Sequence, residues 1–215
     1  MKHAGWVLLL AATCGAPALA QDCPAGLAGD GVYMRFADRT VLFRHLDDGR
    51  TAETEFRFDD TTLIEYRLAP LGLILQSWEM VNGLVPEGEM ETVTFEGPPM
   101  PVPAPGARWR ATEHSVYSDG TRNQYQTSVE VGAMSRLFIG SCSYDMLPIT
   151  VRRIGPDGAS VPTDLVGHLP DLGLSVFLGD SEQGFSQLPD PPLEIGLDPP
   201  GAASAAPQPA PAPTK

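Results

Sequence analysis

The chain has 215 residues, of which 42% are hydrophobic and 19% charged, with 27 Asp and Glu against 14 Lys and Arg and a formal net charge of -13. A surface of that sign repels phosphate backbones and anionic lipid, which argues against nucleic acid as a partner. A cationic ligand or partner would suit it, although a general acidic bias produces the same number without any binding.

The first residues read as a leader. Lys2 and His3 give a weakly positive start, residues 6–12 are apolar, Pro17 breaks the run, and Ala18-Leu19-Ala20 forms an A-x-A-like end. This is the pattern of a signal peptide over residues 1–20. A spanning helix needs roughly 20 apolar residues, and Thr13, Cys14 and Gly15 interrupt this run at about half that length. No later segment comes closer, so no transmembrane segment is expected. Cys14 raises a lipid-anchored alternative, but Thr13 stands where such signals want a small residue, and Ala20 offers the cleaner cut. The expected address is exported and periplasmic, with secretion or lipid anchoring as alternatives.

Cleavage after Ala20 removes Cys14 and leaves Cys23 and Cys142. In an oxidising compartment a pair of thiols is expected to be oxidised. The alternatives are a metal pair or a catalytic thiol, and two cysteines without clustered histidines make a poor metal site. A Cys23–Cys142 bridge would close a loop of roughly 120 residues, worth about 4–5 kcal/mol in the chain-entropy model.

The body of the chain reads as short strands. Residues 32–36 and 41–46 are rich in branched and aromatic side chains, and Asp47-Asp48-Gly49 is a hairpin signal. Ile64, Tyr66 and Leu68 alternate with Glu65 and Arg67, predicting one buried and one wet face. Residues 73–81 extend the pattern with Trp78, and residues 89–95 add another strand. The segment 97–106, Gly-Pro-Pro-Met-Pro-Val-Pro-Ala-Pro-Gly, can be neither helix nor central strand because proline lacks a donor and fixes φ. It predicts an extended strap over a single domain.

Beyond the strap, Arg108-Trp109-Arg110 opens a strand that ends at Ser118-Asp119-Gly120. Tyr125, Thr127, Val129 and Val131 alternate with polar neighbours, and strands over 137–144 and 149–154 lead to a turn at Pro156-Asp157-Gly158. Residues 165–178 close the domain around Pro170-Asp171-Leu172-Gly173. The predicted organisation is therefore a signal peptide over 1–20, a β-rich domain over 21–187 and a disordered Pro/Ala-rich tail over 188–215. The expected fold is all-β, an antiparallel β-sandwich or a partly closed β-barrel. Core candidates are Trp78, Trp109, Tyr66, Phe95, Tyr125, Phe138 and Phe177.

Chemistry-bearing patterns are weak. His45, His114 and His168 are isolated in sequence, without the close partner that metal sites show; His45 and His114 both precede Asp-Gly turns, so a fold with internal symmetry could bring those two together. Gly179-Asp180-Ser181 resembles the nucleophile block of GDSL-type esterases, but it sits late in the chain and no Asp-x-x-His pair follows it. Gly140-Ser141-Cys142-Ser143-Tyr144 reads as strand, which offers no helix N-terminus to activate a thiol. Carboxylates such as Asp59 and Asp60, or Glu87, Glu89 and Glu91, are close enough to pair as in glycosidases, a pattern that acid-rich loops make by chance. No catalytic residue, metal ligand or cofactor follows from these.

The stretch 139–149, Ile-Gly-Ser-Cys-Ser-Tyr-Asp-Met-Leu-Pro-Ile, followed by Leu169-Pro170-Asp171-Leu172-Gly173-Leu174, resembles a pattern in an uncharacterised family of exported proteins of alphaproteobacteria. The leader ending near Gln21-Asp22-Cys23-Pro24 and the Pro-Ala-Pro-Gly-x-x-Trp block at 103–109 fit the same pattern. The resemblance implies a periplasmic β-domain and carries no catalytic residue with it.

These readings point to a non-catalytic periplasmic binding or envelope-support module. A curved sheet can hold an apolar small molecule in its concavity, with a pocket near Trp78 and Trp109, or offer an edge to an envelope protein. A hydrolase would instead need a histidine beside Ser181 or beside a carboxylate pair. A structural or assembly partner would show a filled core and a long unpaired edge.

Overall fold

The structure is a computed structural model that describes residues 23–27, 29–57, 62–82, 84, 85, 88, 90–181 and 188–199. The expected leader over 1–20 with Cys14, the carboxylates Asp59, Asp60, Glu87 and Glu89, and the part of the expected tail from residue 200 lie outside the described residues. Among the described residues every regular element is a strand.

Three hairpins use one piece of local chemistry. Strand β1 (Val32–Arg35) leads to β2 (Arg39–His45), which turns at Asp48-Gly49 into β3 (Thr51–Arg57). The backbone N–H of Arg50 donates to Asp48 Oδ1 at 3.0 Å. The same bond, from the N–H two residues on, forms at Asp119 with Thr121 (2.7 Å) and at Asp157 with Ala159 (3.0 Å). An aspartate that caps its own turn beside a glycine at positive φ stops one strand and starts the next.

Strands β4 (Thr62–Leu68), β5 (Ile74–Val81), β6 (Met90–Glu96), β7 (Arg108–Val116) and β8 (Arg122–Val131) continue the meander. They are followed by β9 (Ser135–Ile139), β10 (Cys142–Ile154), β11 (Thr163–Leu169), β12 (Leu174–Ser181) and β13 (Glu194–Gly196). The 13 strands form one antiparallel sheet in the order β12-β11-β10-β8-β7-β6-β5-β4-β3-β2-β1-β13, with β9 beside β10. Its end strands β12 and β13 do not pair, so the sheet is curled but not closed into a barrel.

The strand expected over 137–144 is two strands. Gly140, at φ 59, turns the chain, and β10 then runs unbroken through Pro148. That proline is tolerated at a gap: β10 pairs with β9 up to Met146 and with β8 from Ile149. The Pro148 carbonyl accepts from the Gly132 N–H at 2.7 Å, in the loop between those partners, so the missing donor falls where no strand needs it.

Two apolar clusters hold the curl. The first joins Val32, Met34, Val41 and Phe43 to Leu137, Ile139, Tyr144, Leu169, Leu174, Val176, Leu178 and Ile195. The second joins Trp109, Val129, Val131, Ile149, Val151 and Val166 to Leu71 and Leu73 of the β4–β5 loop. Strand β11 stands between them, giving Leu165 and Leu169 to one and Val166 to the other. Within the first cluster Cys142 is bonded to Cys23, with Cα atoms 5.6 Å apart. The Tyr144 hydroxyl donates to the Pro24 carbonyl at 3.0 Å, fixing the segment behind that bridge.

Three expectations need correction. Phe138 is 70% exposed because Leu137 and Ile139 take the inner face of β9. Phe177 is 40% exposed because Val176 and Leu178 take the core face of β12. Part of the stretch expected to be tail belongs to the fold: Leu188 packs on the first cluster, and β13 pairs with β1 through Tyr33–Gly196, Met34–Ile195 and Arg35–Glu194. A short Glu-Ile-Gly segment has no periodicity to reveal a strand; the Arg35–Glu194 ion pair at 2.6 Å and the burial of Ile195 supply what the pattern lacks.

Candidate functional site

Directly paired residues on neighbouring strands share a face of the sheet. One such row crosses six strands: Val32, Phe43, Glu53, Tyr66, Ser77 and Glu91. It starts in the first apolar cluster and ends polar. The parallel row Met34, Val41, Glu55, Ile64 and Glu79 does the same. Beyond the point where β11 and β12 cover it, the inner face is a hollow.

The hollow has two adjoining parts that share lining residues. The smaller, about 300 Å³, is walled by Leu68, Leu73, Val151, Val166 and Phe177 and by the charged residues Arg39, Glu53, Glu55, Arg57, Arg153 and Asp164. The larger, about 510 Å³, carries Glu79, Glu91, Glu113, Tyr117 and Tyr125. Tyr66, Ile74, Arg153 and Asp164 line both. The β4–β5 loop plugs one end. Gly72, at φ +74, makes that possible, since a Cβ there would lie 2.7 Å from Val166 Cγ1, and the Ser175 hydroxyl donates to the Pro70 carbonyl at 3.1 Å.

The three arginines of the hollow are engaged. Arg39 contacts Asp190 at 2.6 Å, Asp38 at 2.9 Å and Glu55 at 3.6 Å, and lies over the Phe36 ring. Arg57 pairs with Glu55 at 2.6 Å. Arg153 bridges Glu113 at 3.0 Å and Asp164 at 2.5 Å, while the Thr127 hydroxyl donates to Glu113 at 2.7 Å. Burial works against the Arg153 charge, but Glu113 and Asp164 outweigh it and hold the guanidinium above its usual value. Burial pushes the Asp164 carboxyl up, with Arg153 pulling the other way.

Glu53 differs from all of these. It is 9% exposed, and its carboxyl has no hydrogen bond or ion pair among the described residues. Burial first, and the neighbouring Glu55 charge second, push it up to about 8, with Arg39 opposing. Beside it the half-buried Tyr66 hydroxyl has no hydrogen-bond partner either, and burial followed by repulsion from Glu55 and Glu53 raises its pKa. At neutral pH the protein side therefore presents a protonated acid and a phenol, both free to donate.

Trp78 borders the larger part of the hollow. Its register row, Thr54–Glu65–Trp78–Met90, belongs to the opposite face, and the Arg67 guanidinium lies 5.0 Å from its ring centroid. Arg67 also pairs with Glu65, which is why Glu65 is buried on the face expected to be wet. Trp109 lines neither part. It packs in the second cluster edge-to-face with Phe95 at 5.3 Å, and its Nε1–H donates to the Pro98 carbonyl at 2.9 Å, tying down the proline strap.

The histidines are not brought together. His45 ends β2, His114 lies 3.6 Å from the exposed Glu96, and His168 Nδ1 is 3.1 Å from Ser175 Oγ. Ser175 gives its only proton to Pro70, so His168 donates to it and does not activate it; burial lowers the His168 pKa. No cluster of metal-ligating side chains occurs among the described residues.

Sequence reasoning missed Glu53, Glu55, Arg39 and Arg153. A signal for the first two existed, because the Asp48-Gly49 hairpin sets Glu53 opposite Phe43 and Glu55 opposite Val41, carboxylates on an apolar face. No known family model matches the chain, and no curated protein or solved structure matches it.

Proposed function

We propose that this chain is an exported, non-catalytic binding module that holds a small ligand in the inner hollow of its curled sheet. The observation that carries the reading is Glu53. A buried carboxyl without a partner is unfavourable unless something supplies its hydrogen bonds, and this one stands on the wall of a cavity wide enough to admit a molecule. The other lining charges are mostly engaged in ion pairs, as expected of a wall that shapes a site. Export to the periplasm and kinship with the alphaproteobacterial family belong to the same proposal, supported by the leader and by the Cys23–Cys142 disulfide, which suits an oxidising compartment.

Native mass spectrometry of the chain isolated from periplasmic extract tests the reading. The expected result is a small-molecule adduct that dissociates on activation and is lost in Ile74→Trp, where a large ring at a partly exposed position narrows both parts of the hollow. Bare protein in repeated preparations overturns it.

A further inference from the structure

We infer that the hollow takes an alkylammonium ligand, its charge set against Glu53 and its chain laid along Leu68, Leu73, Val151 and Phe177. This rests on the binding reading above and names its ligand class. Three observations carry it. Arg39, Arg57 and Arg153 are each held by carboxylates, so an anionic ligand would meet no free cation on the lining. Glu53 has no hydrogen bond or ion pair among the described residues and is nine-tenths buried, facing the smaller part of the hollow. Along the larger part, which continues from it through Tyr66 and Ile74, Glu79 and Glu91 make no ion pair among the described residues, Glu91 accepting only from the Ser77 hydroxyl at 3.1 Å.

The larger part of the hollow thus carries two carboxylates, Glu79 and Glu91, without an ion pair among the described residues, and low-dielectric walls concentrate their field on an incoming cation. Tyr66, Tyr117 and Tyr125 line the same part, and aromatic side chains suit an organic cation. The apolar wall behind Glu53 selects an amine that carries a hydrocarbon chain over a hydrated metal ion. The volume, about 300 Å³, lies at the lower end for ligand pockets and suits a small amine.

Binding moves a proton. The ammonium replaces the acid hydrogen of Glu53, which leaves to solvent, and the product is a carboxylate paired with the ligand's charge. The titratable and charged groups facing Glu53 are Asp38 and Arg39 at the start of β2, Glu55 and Arg57 on β3, Tyr66 on β4, Arg153 on β10 and Asp164 on β11; β12 adds only Ser175 and Phe177. With its carboxyl up at about 8 in the empty site, affinity for an amine rises severalfold per pH unit between about pH 6 and pH 8.

Isothermal titration of the full exported chain with hexylammonium chloride, hexan-1-ol and hexanoate tests this. Hexylammonium is expected to bind about tenfold or more tighter than either of the others. The measured heat should differ between phosphate and Tris, reporting the released proton. In Glu53→Gln both the preference and the pH slope should disappear. The comparison of three probes needs no variant, so it stands even where the substitution perturbs folding. Hexan-1-ol or hexanoate binding as tightly as the amine, or unchanged amine binding in Glu53→Gln, overturns the ligand class and leaves the binding reading standing. No heat with any probe overturns the ligand class too, and the adduct measurement then decides the binding reading by itself.

Discussion

Two regions of one sheet face meet in the row Val32–Phe43–Glu53–Tyr66–Ser77–Glu91. On β1 and β2 the row is apolar and sealed, Val32 and Phe43 having no exposed surface. From β3 onward it is polar and opens into a cavity. Backbone geometry is the same on both sides; what differs is the second layer. Leu174, Val176 and Leu178 of β12 lie against β1 and β2, so residues there gain by being hydrocarbon. Farther along the row that layer gives way to a hollow, and side chains are selected for what they offer inward. Glu53 sits at the boundary, buried like its β2 neighbour and polar like its β4 neighbour.

That boundary position makes Glu53 the place to break the comparison with the largest effect. Its folded pKa of about 8 lies above its ordinary 4.5, so the folded chain keeps a proton that the unfolded chain has given up across that window. The stabilisation is full below about pH 4.5 and is lost as pH rises through about 8, on the order of 4–5 kcal/mol in all. Glu53→Gln removes this slope, and at pH 8 the variant should be the more stable protein. Urea midpoints at about pH 5, 6.5 and 8 decide it; parallel decline in both proteins would mean that Glu53 does not titrate as its surroundings demand.

A smaller effect sharpens the same contrast one strand to either side. Phe43→Ala should destabilise by about 3–5 kcal/mol, because the β12 layer cannot fully collapse into the space left. Tyr66→Phe removes a hydroxyl that has no hydrogen-bond partner among the described residues and should change stability by less than about 1 kcal/mol. Thermal or urea unfolding of both variants measures the ratio. Comparable losses at the two positions would show that the hollow is packed as tightly as the core.

Much of the sealed region was legible in the sequence, and little of the hollow was. The Asp-Gly turns were readable because Asp48, Asp119 and Asp157 each hold their own turn by a bond to the residue two positions on. The Cys23–Cys142 pairing followed from arithmetic once Cys14 was assigned to the leader. Gly140 misled because one turn residue inside an apolar run does not announce a strand break, and Pro148 because its missing donor falls at a gap visible only when β8 and β9 are both in place. Glu53 and Arg153 escaped for a different reason. Alternation says that a residue faces inward, but whether inward means core or cavity depends on where β11 and β12 come to rest, more than 100 positions downstream of Glu53.

The smallest predicted effect concerns a contact at the edge of the second cluster, where Trp109 and the proline strap meet. The strap over 97–106 cannot pair as a strand, since five of its ten residues are prolines without a donor; backbone bonds from Gly106 to Val131 and from Ala107 to Ala104 fasten its end, and side chains hold the rest. Trp109 does this through the Nε1–H bond to Pro98, while its ring packs edge-to-face on Phe95 of β6, just before the strap. Trp109→Phe keeps an aromatic ring in the cluster and removes the bond, and the orphaned Pro98 carbonyl lies in an exposed segment where water can replace the donor. Loss of about 1 kcal/mol is therefore expected, with faster proteolysis or backbone exchange confined to the strap and the hairpin of β7 and β8 left protected. Exchange that quickens across β7 and β8 as well would show that the strap is part of the core's own stability, and the sealed region would then extend along the inner face from Trp109 toward Glu113 of the hollow.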